Sequence, residues 1–207
     1  MKTYKYILVI LFSVFLFAAC EKETEGVSRI TEYAEFKMSG NEFLFVEKNS
    51  TFTDPGVTAF EGETELTVVV KGTVDTSTPG VYTIQYSAEN SDKFSASVKR
   101  IVAVVAAVPT VDLSGVYGLL PAQTRTSTIT KNGIVGYYRA SDSWSQAYAI
   151  PLDFVDMGDG TLTVLSGSSP FGGHYGTGLI LPDNQLRFTV TLIDQGPYIY
   201  TTTYQLK

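Results

Sequence analysis

From Phe36 to Leu206 the chain is cut by Gly, Pro, Asn and Asp into short stretches in which apolar and polar residues alternate. Tyr82, Ile84, Tyr86 and Ala88 alternate with Thr83, Gln85 and Ser87, and Phe188, Val190 and Leu192 alternate with Arg187, Thr189 and Thr191. A period of two sends the two sets to opposite faces of a strand. No long helical period competes with it. The expected class is all-β.

The pattern falls into two blocks. In the first, strands are expected at Phe36–Met38 and Phe43–Val46 around the turn Ser39-Gly40-Asn41, then at Glu65–Val70, Tyr82–Ala88 and Val98–Val105. Pro55-Gly56 and Thr78-Pro79-Gly80 are turn signals. About seven short strands at this spacing suggest a sandwich, with Tyr82 and Tyr86 in its core and a tyrosine near a strand start bonding back to the backbone.

In the second block, strands are expected at Gly115–Leu120, Arg125–Thr130, Val135–Ala140, Tyr148–Val155, Thr161–Leu165, Tyr175–Leu181, Leu186–Ile193 and Tyr198–Leu206. Successive hairpins of this kind close into an antiparallel barrel or a two-sheet sandwich, and both remain open. Between the blocks, Ala106 to Asp112 contains Pro109, which tends to end a ladder.

The N-terminus says where such a protein resides. Lys2 and Lys5 precede an apolar run from Ile7 to Phe17, then Ala18, Ala19 and the only cysteine, Cys20. A positive start, a short apolar core and small residues make a secretory signal. The run is too short for a bilayer, which needs roughly 20 residues. Phe17-Ala18-Ala19-Cys20 resembles the bacterial lipobox. That resemblance implies cleavage before Cys20 and acylation of its thiol and amine, and several acyl chains suffice for stable anchoring. Glu21, Lys22, Glu23, Thr24 and Glu25 read as a solvated tether. They also resemble the acidic signal that directs Bacteroidota lipoproteins to the outer face of the outer membrane. The expected divisions are 1–19 signal peptide, 20–29 acidic tether, 30–108 β-sandwich, 109–112 linker and 113–207 C-terminal antiparallel β domain.

The 30–108 block carries a second resemblance. Asp54-Pro55-Gly56-Val57-Thr58-Ala59 and Gly72 to Ala88 resemble the Ig-like domain first noted in pesticidal crystal toxins and frequent in Bacteroidota surface lipoproteins. The resemblance covers about residues 36–105. It implies an immunoglobulin-like sandwich used as a spacer or adhesion element, with no catalytic residues. Leu113 to Tyr117, Asp156 to Thr161 and Gly172 to Gly176 resemble the uncharacterised C-terminal domain that follows this Ig-like domain in Bacteroides lipoproteins. That pairing implies a nutrient-capture setting near polysaccharide uptake.

Composition narrows the chemistry. Net charge is −6, and loss of Lys2 and Lys5 with the signal leaves −8. An acidic chain without a basic cluster argues against nucleic acid. One His and one lipidated Cys cannot build a zinc site, so no metal and no cofactor are expected. His174 is the only general base available to a triad, and no Gly-x-Ser-x-Gly elbow accompanies it. Residues 113–207 hold no Glu, which leaves Asp142, Asp153 and Asp194 as the carboxylates for glycoside hydrolysis. Asp156 and Asp159, set among glycines, read as hairpin-turn residues before calcium ligands. The protein is read as not an enzyme.

Aromatic density in the second block points to binding. Trp144 is the only tryptophan, and Ser141, Asp142, Ser143, Ser145 and Gln146 around it read as an exposed polar loop. A flat amphipathic ring on such a loop suits the apolar face of a sugar. Trp144, Tyr138, Tyr148, His174 and Tyr175 are the candidate ligand contacts. The glycines of 172–176 are expected to let a strand bend or pass closely. The leading reading is an outer-membrane-anchored surface lipoprotein that binds a glycan, or an outer-membrane uptake complex, through its C-terminal domain. The alternative is a structural or adhesion subunit with a protein partner.

Overall fold

A computed structural model describes residues 31–144, 148–194 and 196–207. The signal peptide, Cys20 and the acidic tether lie outside the described residues, as do Ser145 and Gln146. The described residues are all β apart from a single 3-10 turn at Pro182–Asn184.

The first seven strands are β1 (Glu35–Met38), β2 (Phe43–Glu47), β3 (Val57–Glu61), β4 (Thr64–Leu66), β5 (Val69–Lys71), β6 (Gly80–Glu89) and β7 (Ser95–Val105). They form two sheets, of order β1-β3-β4 and β2-β7-β6-β5. The sandwich core holds Val46, Ile84, Tyr86, Val102 and Val104, with Phe36, Val57, Val68 and Tyr82 packed against them. The expected alternation in β6 holds, with Ile84, Tyr86 and Ala88 buried. The Tyr82 hydroxyl donates to Thr78 O at 2.8 Å, which fastens the strand start to its own turn.

Two details depart from the sequence reading. The stretch Glu65–Val70 is not one strand. Its first part pairs with β3 and its second with β6, so the chain changes sheets at Thr67-Val68. The turn after β1 joins two sheets, because β1 pairs with β3 and β2 runs parallel to β7.

One arginine is buried in this half. Arg100 is wholly enclosed, and its guanidinium donates to the Asp54 carboxylate and to the carbonyls of Ser39 and Gly56. The Tyr86 hydroxyl donates to the other Asp54 oxygen at 2.7 Å. Burial and that bond push the Tyr86 pKa up to about 12.

The remaining strands are β8 (Gly115–Leu119), β9 (Thr126–Lys131), β10 (Tyr137–Ala140), β11 (Leu152–Asp156), β12 (Thr161–Ser169), β13 (Gly172–Leu181), β14 (Gln185–Leu192) and β15 (Tyr198–Leu206). Each pairs antiparallel with the next, and β15 returns to β8 through Tyr204↔Leu119 and Leu206↔Tyr117, so the sheet is a closed barrel. Of the two architectures left open above, the barrel is the one formed. Eight strands leave an interior just wide enough for side chains. Here it is filled by Tyr117, Ile129, Tyr138, Phe154, Leu162, Leu186, Phe188, Val190, Leu192 and Tyr204 among others.

The fourth strand begins at Leu152, not Tyr148. Pro151 cannot donate to a ladder, and the amide and carbonyl of Ile150 are taken by Asp142 and Ser143. Glycine lets β13 lie close to β14: a Cβ on Gly176 would stand 2.3 Å from Thr189 O, and one on Gly178 would stand 2.6 Å from Arg187 O. Asp156 accepts the Gly158 amide at 2.8 Å and Asp159 accepts the Thr161 amide at 2.9 Å, as turn residues do.

Part of the outer face of the β2-β7-β6-β5 sheet is apolar and lies on the barrel wall. Phe43, Ala103 and Val105 are buried there with Val155 and Met157. The Phe43 and Tyr137 rings stack at 4.3 Å and 11°. The connecting segment is packed as well: Ala106 N donates to Met157 O at 2.9 Å, and Pro109 is buried. Residues 33–207 make one compact unit.

Candidate functional site

In an up-and-down barrel, connections alternate between the two ends. The β9–β10 and β11–β12 turns share the end that the incoming chain reaches, and they carry the sandwich-facing Ile134 and Met157. The β8–β9, β10–β11, β12–β13 and β14–β15 connections gather at the opposite end. The aromatic residues of interest lie there.

Asp142 organises that end. Its carboxylate takes the Arg125 Nε at 2.6 Å, the Trp144 amide at 2.9 Å and the Ile150 amide at 3.1 Å. Ser143 follows with its hydroxyl on Ile150 O at 2.9 Å and against the Tyr200 hydroxyl at 2.8 Å. Thr202 Oγ1 donates to Ser143 O at 2.7 Å. Asp142 and Ser143 are therefore buried, which corrects the expectation of an exposed polar loop: short polar side chains tie the loop down over the barrel mouth. Burial pushes the Tyr200 pKa up to about 12.

This scaffold fixes Trp144. Its ring stacks on Tyr200 at 4.9 Å and on Tyr198 at 5.7 Å, and tilts against Phe171 at 4.9 Å. Tyr148 meets the same Phe171 edge-on at 5.9 Å. Trp144 and Phe171 are partly buried against the barrel core. Tyr148 and Tyr198 stay 67% and 48% exposed, so the mouth presents two open rings around a supported pair.

The other candidate contacts sit elsewhere. Tyr138 is fully buried, stacked on Phe154 at 5.4 Å, with its hydroxyl between Leu113 N and Val111 O. It offers a ligand no surface, because its place in β10 points inward and its hydroxyl serves the incoming chain. His174 also points inward, opposite Leu192, and is 3% exposed. It borders a cavity of about 100 Å³ in the wall, whose lining also includes Arg139, Asp153, Ser166 and Ser168. Its Nδ1 has no partner, and burial lowers its pKa. Tyr175 is on the outer wall, half-exposed, across from Thr191 and in line with Ile199.

Sequence reasoning thus placed Trp144 and Tyr148 at one site but not the rings that complete it. Phe171, Tyr198 and Tyr200 carried a usable signal: all three lie in or next to turns that an up-and-down order sends to the same end as the Trp144 loop. Among the described residues no group of three or more His, Cys, Asp or Glu is placed to hold a metal ion.

Residues 36–104, which span the sandwich, match the family model described as bacterial surface protein, Ig-like domain. The crystal structure of the lipoprotein BT2262 from Bacteroides thetaiotaomicron is similar at 24% identity and a TM-score of 0.39, over 84% of this chain and 100% of that one. No curated protein shows significant similarity.

Proposed function

We propose that the protein is a lipoprotein held in the outer membrane by acyl chains on Cys20 and displayed at the cell surface. Its barrel binds a glycan at the aromatic mouth. On this reading 1–19 is the signal, 20–29 the tether, 30–108 the spacer, 109–112 the linker and 113–207 the binding domain. No catalytic step is part of it. The observation that carries it is the pair of open rings, Tyr148 and Tyr198, set around Trp144 and Phe171 at the barrel end away from the sandwich. Such rings offer flat apolar faces to a sugar, with hydroxyls at their tips.

The test is a polysaccharide and oligosaccharide binding screen on residues 26–207, repeated with Tyr148→Ala and Tyr198→Ala. Each ring is worth about 0.5–1.5 kcal/mol, so each variant binds roughly two- to tenfold more weakly. Saturable binding that both variants leave intact removes the mouth as the site.

A protein partner is the second reading, and a separate observation favours it. Ile193 and Ile199 are exposed on the outer wall beside the mouth, where aliphatic side chains do nothing for a sugar. Silence across the glycan panel, together with a complex recovered from outer membranes and lost on Ile199→Asp, supports that reading instead.

A further inference from the structure

A second cavity lies where the sandwich meets the barrel. It encloses about 410 Å³, within the range of small-ligand sites, which favour such junctions. The buried contact between the two halves ends at Ile101 on β7 and Ile134 on the β9–β10 turn. Beyond them the surfaces part. Phe43 and its stacking partner Tyr137 form the apolar base of the gap.

The rim is polar: Asn132 is spent, its amide donating to Asp153 at 3.3 Å, and three other side chains are not. Asn41, Glu42 and Lys99 line the cavity, are exposed, and make no side-chain hydrogen bond or ion pair among the described residues. Glu42, the residue before β2, is held beside β7, which carries Lys99, since Ile101 N donates to Glu42 O at 2.8 Å. A carboxylate and an ammonium therefore border one small cavity with an apolar base and are not joined to each other. Gly133 bounds the barrel side, and nothing lies within 4 Å of where its Cβ would be, so access stays open.

We propose that this junction binds a small zwitterion with an apolar side chain, of the free α-amino acid class. Its ammonium lies on Glu42, its carboxylate on Lys99 and its side chain on Ile101, Ile134 and the edge of Tyr137. The asymmetry of charge fixes which way round the ligand lies. The site is independent of the aromatic mouth and at the other end of the barrel.

The experiment is an NMR titration of residues 26–207, which contain the whole compact unit, with L-leucine. N-acetyl-leucine lacks the ammonium and leucinamide lacks the carboxylate. The expected result is saturable movement of the Gly133 amide and the Asn41 side-chain amide with leucine. Each blocked analogue, and each of Lys99→Ala and Glu42→Ala, binds about three- to tenfold more weakly, with unchanged unfolding midpoints. Added salt weakens binding in the same direction. Equal binding of the blocked analogues, indifference to Lys99→Ala, or movement of these amides by neutral monosaccharides alone overturns the proposal. Tyr148→Ala serves as the separating control: it leaves the junction titration unchanged, so either site can fail without the other.

Discussion

Replacing Arg100 with Met removes the guanidinium and keeps most of the apolar stem. The side chain it replaces is completely enclosed, while Asp54 retains 26% exposure. Breaking a buried ion pair by deleting one partner costs about 3–5 kcal/mol. Water reaching the open side of Asp54 eases the penalty, and the Tyr86 hydroxyl remains on the carboxylate, so the low end, about 3 kcal/mol, is expected. For a chain of this length each kcal/mol moves the midpoint by about 2–4 °C, which gives a fall of roughly 6–12 °C. Arg100→Lys keeps charge but loses the fork that reaches Ser39 O and Gly56 O together, and should fall between the two. The assay is thermal and urea unfolding followed by far-UV circular dichroism and by Trp144 fluorescence. Because Trp144 is in the barrel and Arg100 in the sandwich, the shared apolar contact predicts that both probes shift together. A loss below about 1 kcal/mol would refute the electrostatic reasoning. An unmoved fluorescence transition would refute the coupling of the halves.

Trp144→Ala should lower stability by about 2–3 kcal/mol as well as weaken binding, since the ring packs on the barrel core; denaturant titration measures the first part. Gly158 has φ +74° and a Cβ there would stand 1.9 Å from Ala107 O, so Gly158→Ala should cost more than about 2 kcal/mol, whereas Gly160→Ala, at φ +87° with open space around it, costs only the backbone term of about 1–2 kcal/mol. Burial lowers the His174 pKa below its ordinary 6.5, so the unfolded chain binds that proton more readily; stability is full above 6.5 and falls as pH drops through it, and His174→Gln should flatten that slope in urea midpoints measured across the range.

The strand pattern was legible because each barrel strand repeats a period of two between unmistakable turns. The span Tyr198–Leu206 was read to the residue. Errors arose where tertiary contacts override local pattern. Nothing in Glu65–Val70 says that it changes sheets; the packing of Leu66 and Val68 into the sandwich interior decides that. Asp142 and Ser143 look like solvent residues in sequence and are buried because they satisfy backbone groups of their own loop. Tyr138 and Tyr148 are equally aromatic, and only their positions, inward on β10 or on a loop before Pro151, separate core from surface. Arg100 gives no sign of burial locally, since its partner Asp54 lies 46 residues away.

The parallel pairing of β2 with β7 has a mechanical consequence. Five residue pairs, Phe43↔Ile101 to Glu47↔Val105, join the strand near the N-terminal side of the sandwich to the strand that leads out of it. Tension entering before Phe43 and leaving after Val105 pulls the two strands along their length in opposite directions. The evenly spaced bonds of a parallel ladder are then loaded in shear and must yield together, instead of opening one at a time like a zipper. A domain loaded between these two ends would resist pulling far better in this arrangement than five ladder pairs suggest.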